Sequence, residues 1–260
     1  MNEQFGSVLR EWRQQRRLSQ MDLGLGANVS ARHISFLETG RAKPSRSMVL
    51  QLCEELEVPR AGRNRLLNAA GLAPAYAKRA LTEEQMQPVR SAVDWMLERH
   101  DPYPAFAMDR HWRIRKMNAT AMMLLSGMGV QTGDSMLAAL VGNTSMQTAI
   151  ENFDEVLTYT ILRVRTEMSH LGGDAELEAA LAALTDLLGD KLQLPDGVMP
   201  AFIPTRYRAG NALLSMFSTF TQFGTAEDIA LSELRIEMLF PADDQTRGFL
   251  VGLAASATDA

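Results

Sequence analysis

Residues 18–45 read LSQMDLGLGANVSARHISFLETGRAKPS, and two short helices fit into this stretch with barely a turn between them. Ser19 followed by Asp22 makes a capping box, with Leu18 and Leu23 placed as a hydrophobic staple across it. A helix therefore starts at about Gln20 and is over by about Ala27. Asn28 enters the left-handed region more easily than most side-chain-bearing residues, so it turns the chain. Val29 and Ile34 staple a second N-cap at Ser30, and Gly40 ends that helix from the C′ position. Gly24 and Gly26 each lower helix propensity by about 1 kcal/mol. A bare Cα at Gly24 lets the next helix come close; the sequence offers no reason for Gly26.

The second of these helices sorts its residues by face. Ile34 and Leu37 point inward with the preceding Val29, Ala31, Arg32 and Ser35 point outward, and His33 and Phe36 lie at the margins. A helix seated on a tight turn, showing small polar residues and an arginine near its N-terminus, suits the major groove of duplex DNA. Arginine bonds a guanine edge bidentately, while serine and alanine permit close approach. Ser30, Ala31, Arg32 and Ser35 are thus the expected reading residues. Gln20, opening the preceding helix, and Arg41 and Lys43, in the loop that follows, are placed for phosphate.

Flanking patterns complete a five-helix domain over residues 1–72. A first helix from about Phe5 to Arg16 carries Phe5, Val8, Leu9 and Trp12 on one stripe. Ser45 caps a fourth, with Val49, Leu52, Cys53 and Leu56 at helical spacing, and Pro59 opens a fifth that closes at Gly71. Cys53 reads as a buried core thiol. The pattern L-S-Q-x-D-L, then V-S-x-x-x-I-S-x-L-E-x-G-R-x-x-P-S, resembles the XRE-type (Cro-like) helix-turn-helix family over about residues 5–70. That resemblance implies a structural ion pair between Arg13 and Glu38. The chain departs from the family at position 24, where Ala is preferred, and at position 28, where Gly is.

Composition agrees with a split molecule. The chain has 260 residues, 46% of them hydrophobic, and a net charge of −5. Residues 1–79 hold 13 Lys+Arg against 7 Asp+Glu, giving +6, and residues 80–260 hold 13 against 24, giving −11. A basic head on an acidic body suggests that the head alone meets a polyanion, the alternative being chance scatter of charge. No run approaches the ~20 apolar residues of a membrane span, and MNEQFGSVLREW lacks the apolar core of a signal peptide. A lone cysteine forbids an internal disulfide and a cysteine-based metal cluster. The expected location is the cytoplasm, without membrane association.

After a connector at residues 73–84, where Pro74 bars continuation of the fifth helix, the period changes within a body of residues 85–260. Thr82 with Gln85 caps a helix bearing Val89, Val93, Met96 and Leu97. PAFAMD and HWRIRKMN alternate around Asp109-Arg110 as a β-hairpin, and NATAMMLLSG follows as a short helix. Residues 146–189 read as two long helices split at HLGGD, and SMFSTFTQFG and ELRIEMLFPAD as the last strands. A small antiparallel sheet wrapped by helices is an α+β domain, so the whole chain is mainly α. PYPAFAMDRHWRIRKMNATA, RNRLLNAAGLAPAY and FGTAEDIALSELRIEMLFPADDQT resemble segments of MmyB-like regulators. This resemblance implies a PAS-like domain that binds small apolar ligands such as fatty acids.

Methionine is common, at 16 residues, and its flexible thioether suits pockets for variable apolar ligands, though an ordinary core patched with methionine explains the count equally well. The residues expected to line such a cavity are Met108 and Trp112, then Ile114, with Phe217 and Phe220 from a later strand; the long helices of residues 146–189 would form its lid. Arg113, Arg115, Arg163 or Arg165 is available to hold a carboxylate bidentately, and a solvated face explains each equally well. There is no HExxH, no G-x-S-x-G, no phosphate-cradling glycine loop and no paired metal spacing among His33, His100, His111 and His170. No enzyme activity, metal or cofactor is expected, and a flavin or haem sensor lacks an evident axial ligand. The reading is a sequence-specific transcription regulator, a homodimer on an inverted repeat in double-stranded DNA, whose body senses a small apolar, fatty-acid-like ligand. The alternative keeps the DNA-binding head and makes the body a ligand-free dimerisation or protein-interaction module.

Overall fold

The computed structural model of the chain describes residues 4–80, 82–191, 201–224 and 226–258. It forms two compact units: Met1–Lys78 with Thr166–Asp174 and Thr225–Ser232, and Arg79–Arg165 with Ala175–Gly224 and Glu233–Ala260.

The first unit holds α1 (Phe5–Gln15), α2 (Gln20–Gly26), α3 (Ala31–Glu38), α4 (Arg46–Glu55) and α5 (Arg60–Ala69). Their starts follow the capping chemistry read from the sequence. The Ser19 hydroxyl accepts from the Asp22 N–H at 3.1 Å while the Asp22 carboxylate accepts from the Ser19 N–H at 2.9 Å. Ser30 and Ser45 cap α3 and α4 by accepting from His33 N and Met48 N. Asn28 sits at φ 50°, and Gly40 and Gly71 end α3 and α5 at φ 74° and 73°. A side chain at Gly24 would meet the Val29 carbonyl and the Ala31 amide, so its absence lets α2 and α3 touch. Gly6 does the same for α1 against the Glu38 and Leu37 carbonyls. At Gly26 the neighbour is only the flexible end of Glu55.

Phe5, Val8, Leu9, Trp12, Leu23, Ile34, Leu37, Val49, Leu52 and Leu66 close into one core. Cys53 lies inside it, and burial pushes its thiol up to about 12, beyond any reactive range. Residues 166–174 join this unit through Arg16, whose guanidinium donates to the Ser169 carbonyl at 2.7 Å, and Gln15, which donates to the Met168 carbonyl at 3.2 Å.

Glu38 is the polar exception. Its side chain has no solvent exposure, and Arg13 grips it bidentately, Nε to Oε1 at 2.6 Å and Nη2 to Oε2 at 3.1 Å. Arg10 and the Gln20 amide add bonds to Oε2 at 3.3 and 2.9 Å. A buried carboxylate is tolerable only when its lone pairs are filled this way.

The second unit runs α6 (Gln87–His100), β1 (Ala105–Met108), β2 (Ile114–Met117), α7 (Ala119–Gly127), α8 (Met136–Gly142) and α9 (Thr144–Ala149). α10 (Phe153–Leu171), α11 (Ala175–Leu188), β3 (Thr205–Ala209), β4 (Ala212–Gln222), α12 (Ile229–Ser232), β5 (Arg235–Pro241) and α13 (Asp244–Thr258) complete the chain; α12 belongs to the first unit and α10 ends in it. Five strands pair antiparallel in the order β2-β1-β5-β4-β3. This is the expected α+β body, with corrections. β3 and α13 are additions to the sequence reading, and α8 and α9 precede the first long helix, which begins at Phe153 rather than near residue 146. α6 starts at Gln87, after a 3₁₀ turn at Glu84–Met86. Trp112 is not on the second strand: it sits in the tight turn before it, at φ 59°, donating its N–H to the Asp109 carbonyl at 3.0 Å.

Burial alone would raise the Glu38 carboxyl pKa, yet the hydrogen bonds from Arg13 and Gln20 and the Arg13 charge outweigh it and hold the group below its ordinary 4.5. A folded-state pKa below the unfolded value contributes stability above the unfolded pKa and loses it as pH falls through the folded one. Glu38→Ala should destabilise the first unit by about 3 kcal/mol by stranding Arg13, measured by denaturant unfolding near neutral pH. Glu38→Gln should in addition flatten the loss of stability below about pH 4.5; an acid limb identical to that of the wild type would refute the role.

Candidate nucleic-acid interface and internal cavity

The outer face of α3 is built by subtraction. Ile34 and Leu37 turn into the core and Glu38 is buried, which leaves Arg32 exposed and Ala31 and Ser35 half-buried on the opposite side. His33 and Phe36 are intermediate, at the margins. The Arg32 guanidinium lies 5.3 Å from the centre of the Phe36 ring, which supports it without tying up its donors in a carboxylate. Ser30 is exposed, its hydroxyl oxygen engaged at the helix cap. Arg41 and Lys43 are exposed in the following loop. Gln20, expected at phosphate, donates its amide to Glu38, a contact that the sequence did not signal.

The second unit holds a partly open cavity of about 180 Å³. Its floor is one face of the sheet, contributed in pairs two residues apart: Phe106 and Met108 on β1, Thr205 and Tyr207 on β3, Met216 and Ser218 on β4, Glu237 and Leu239 on β5. That spacing is the pleat itself, since alternate residues share a face. α7 adds Ala121, Leu124 and Leu125; α8 and α9 add Met136, Leu140 and Met146; α10 adds Val156, Tyr159, Thr160 and Arg163. Four methionines therefore stand in the wall. Of the two long helices expected to cover this space, α10 supplies lining residues and α11 supplies none.

Of the residues expected at this site, Met108 and Trp112 are on the wall. Ile114 is fully buried but outside the lining. Phe217 faces the other side of the sheet, stacked on Phe240 at 5.8 Å and packed on Phe202 at 4.8 Å. Phe220 shares the pocket-side parity of Met216 and Ser218 yet lies beyond the cavity, 54% exposed. β3 was absent from the sequence reading, so Thr205 and Tyr207 were missed with it; the alternation TRYRA before the turn at Gly210 was the available signal.

Among the four arginines considered for a carboxylate, Arg163 alone reaches the cavity. Arg113 pairs with Glu176 and Arg115 with Asp109, and Arg165 is exposed. Arg163 bonds Glu237, and its guanidinium lies 4.3 Å from the Trp112 ring centre and 5.0 Å from that of Phe220. The left-handed Trp112 backbone is a sparsely populated conformation for a bulky residue, held by the Asp109 turn. It aims the indole at Arg163.

Comparison with protein families agrees with both halves. The profile described as MmyB-like transcription regulator ligand binding domain matches residues 89–253. The chain belongs to the MmyB-like transcription regulators. A helix-turn-helix domain profile matches residues 4–66, and a search of curated proteins gave no match. This MmyB-like regulator is thus a DNA-binding transcription regulator with a ligand-binding domain, and neither matched family is enzymatic. No helix among the described residues is long and apolar enough to cross a membrane.

Arg32→Ala should leave the unfolding midpoint unchanged and cost ~1–3 kcal/mol of specific DNA affinity, whereas Lys43→Ala should weaken binding to all sequences and flatten its salt dependence. Mobility shifts with operator and scrambled duplexes, at several salt concentrations, separate the two. Normal operator binding by Arg32→Ala would move the reading face elsewhere.

Proposed function

We propose that this regulator binds an inverted repeat in double-stranded DNA as a cytoplasmic homodimer, and that a small apolar ligand with an aliphatic, fatty-acid-like chain occupies the cavity and alters DNA affinity. On the DNA side, the support is the α3 face: Ser30, Ala31, Arg32 and Ser35 toward bases, Gln20, Arg41 and Lys43 toward phosphates. One helix-turn-helix presents few contacts, and two heads spaced about one helical turn, ~34 Å, apart would read symmetric half-sites.

The observation that carries the ligand reading is the cavity of about 180 Å³ beneath a methionine-rich wall. Its volume is comparable to the ~150 Å³ apolar cavities that stay dry and accept small hydrophobic molecules. Rotation of Met108, Met136, Met146 and Met216 would lengthen it for a longer chain. α10 offers a route for the signal: it lends Val156 to Arg163 to the wall, and its last turn is the segment that Arg16 holds. A ligand that favours one position of that helix shifts the population of heads competent for DNA, and a tenfold change in affinity needs only ~1.4 kcal/mol of differential binding.

Leu124→Trp, which fills the cavity from α7, should abolish the heat of binding of medium-chain aliphatic probes in calorimetric titration while leaving operator affinity in their absence within about threefold. The wild type should change its operator affinity when the same probes are added. If the wild type gives no heat and no change, the body is a ligand-free dimerisation or interaction module.

A further inference from the structure

The cavity wall contains two charged residues, Arg163 and Glu237, and they neutralise each other. Arg163 Nη1 and Nη2 lie 3.2 and 3.3 Å from Glu237 Oε2, and the Glu237 side chain is 12% exposed. Neither partner is free to swing: Glu237 sits on β5 between β1 and β4, and the Arg163 guanidinium is flanked by the Trp112 and Phe220 rings. Tyr207 shares the wall, and its phenol is kept protonated, with its pKa driven up by burial and then by the nearby Glu237 carboxylate. The lining therefore combines an apolar body with one positive and one negative side chain.

From this we infer that the cavity selects aliphatic ligands whose polar end is uncharged, such as an alcohol, ester or amide, and that Glu237 sets the selection by occupying Arg163. The inference rests on the reading of the cavity as a ligand site. An incoming carboxylate has two poor options. It can displace Glu237 from Arg163, stranding a carboxylate at low exposure, or it can sit beside the pair and be repelled by Glu237 where water screens little. An uncharged head meets neither penalty, and the Tyr159 and Ser218 hydroxyls on the same wall supply hydrogen bonds to it.

The test uses the full chain and three probes with one chain length: octanoate, 1-octanol and methyl octanoate, titrated calorimetrically into wild type and Glu237→Gln. The wild type should bind the two neutral probes at least tenfold more tightly than octanoate. Desolvation of a free acid contributes to that gap in any apolar site, so the decisive number is its change. Glu237→Gln keeps the side-chain shape and removes the negative charge that faces Arg163, so octanoate should gain at least tenfold while the neutral probes move less than threefold. Should that variant melt early by circular dichroism, Arg163→Gln gives the converse, a further loss of octanoate binding of at least tenfold. Octanoate binding the wild type as tightly as 1-octanol, or a gap unmoved by either substitution, overturns the selection and leaves the ligand site standing. No heat from any probe in the wild type overturns the ligand site itself, and the selection with it.

Discussion

A carboxylate with no exposure to water must have its lone pairs filled, and in this chain Glu38 fills them with donors from two other helices. Arg13 and Arg10 come from α1 and Gln20 from α2, so one buried charge at the end of α3 ties the three helices together. The close approach depends on glycines. Gly6 brings α1 onto the C-terminal carbonyls of α3, and Gly24 brings α2 onto its N-terminus. With Ile34 and Leu37 buried beneath, α3 has one orientation, and Arg32 and Ser35 point where they do because nothing else about the helix is free to turn.

In the ligand-binding domain the governing constraint is the pleat. Four strands each turn two residues, two apart, toward the same space, and the elements covering that face are short helices and the first half of α10. Methionines from separate elements meet there, and flexible thioethers fill such a space without closing it. Where the apolar wall ends, Arg163 and Glu237 satisfy each other and the Trp112 and Phe220 rings shield the guanidinium. The cavity thus joins a mostly apolar lining to one ion pair.

Legibility from the sequence followed the range of the interactions. Ser19, Ser30 and Ser45 cap where they were expected because a cap is a contact between residues three apart. The Asn28 turn and the Gly40 and Gly71 stops are equally local. The Arg13–Glu38 pair is a contact across 25 residues and was legible only through family resemblance. β3 is five residues with two arginines, too short and too polar for an apolar pattern to mark it; its pairing with β4 across Gly210 makes it a strand. α13 carries Gly248 and Gly252, which weaken the helical signal that packing on β4 and β5 restores.

By itself the sequence determined the helix-turn-helix head, its caps and its outward face, since period, turn chemistry and charge are properties of neighbouring residues. It also determined that the body mixes strands with helices and is rich in methionine. Only the tertiary structure decided which side of each strand meets the cavity. A strand's two faces differ by a single residue, so parity is set by the partner strand: Phe217 pairs with Phe240 on one side while Met216 and Ser218 face the other. It likewise decided that Trp112 reaches the wall from a left-handed turn, and that Arg163 arrives there already bound to a carboxylate 74 residues away. Those outcomes depend on distances between elements, which no local pattern encodes.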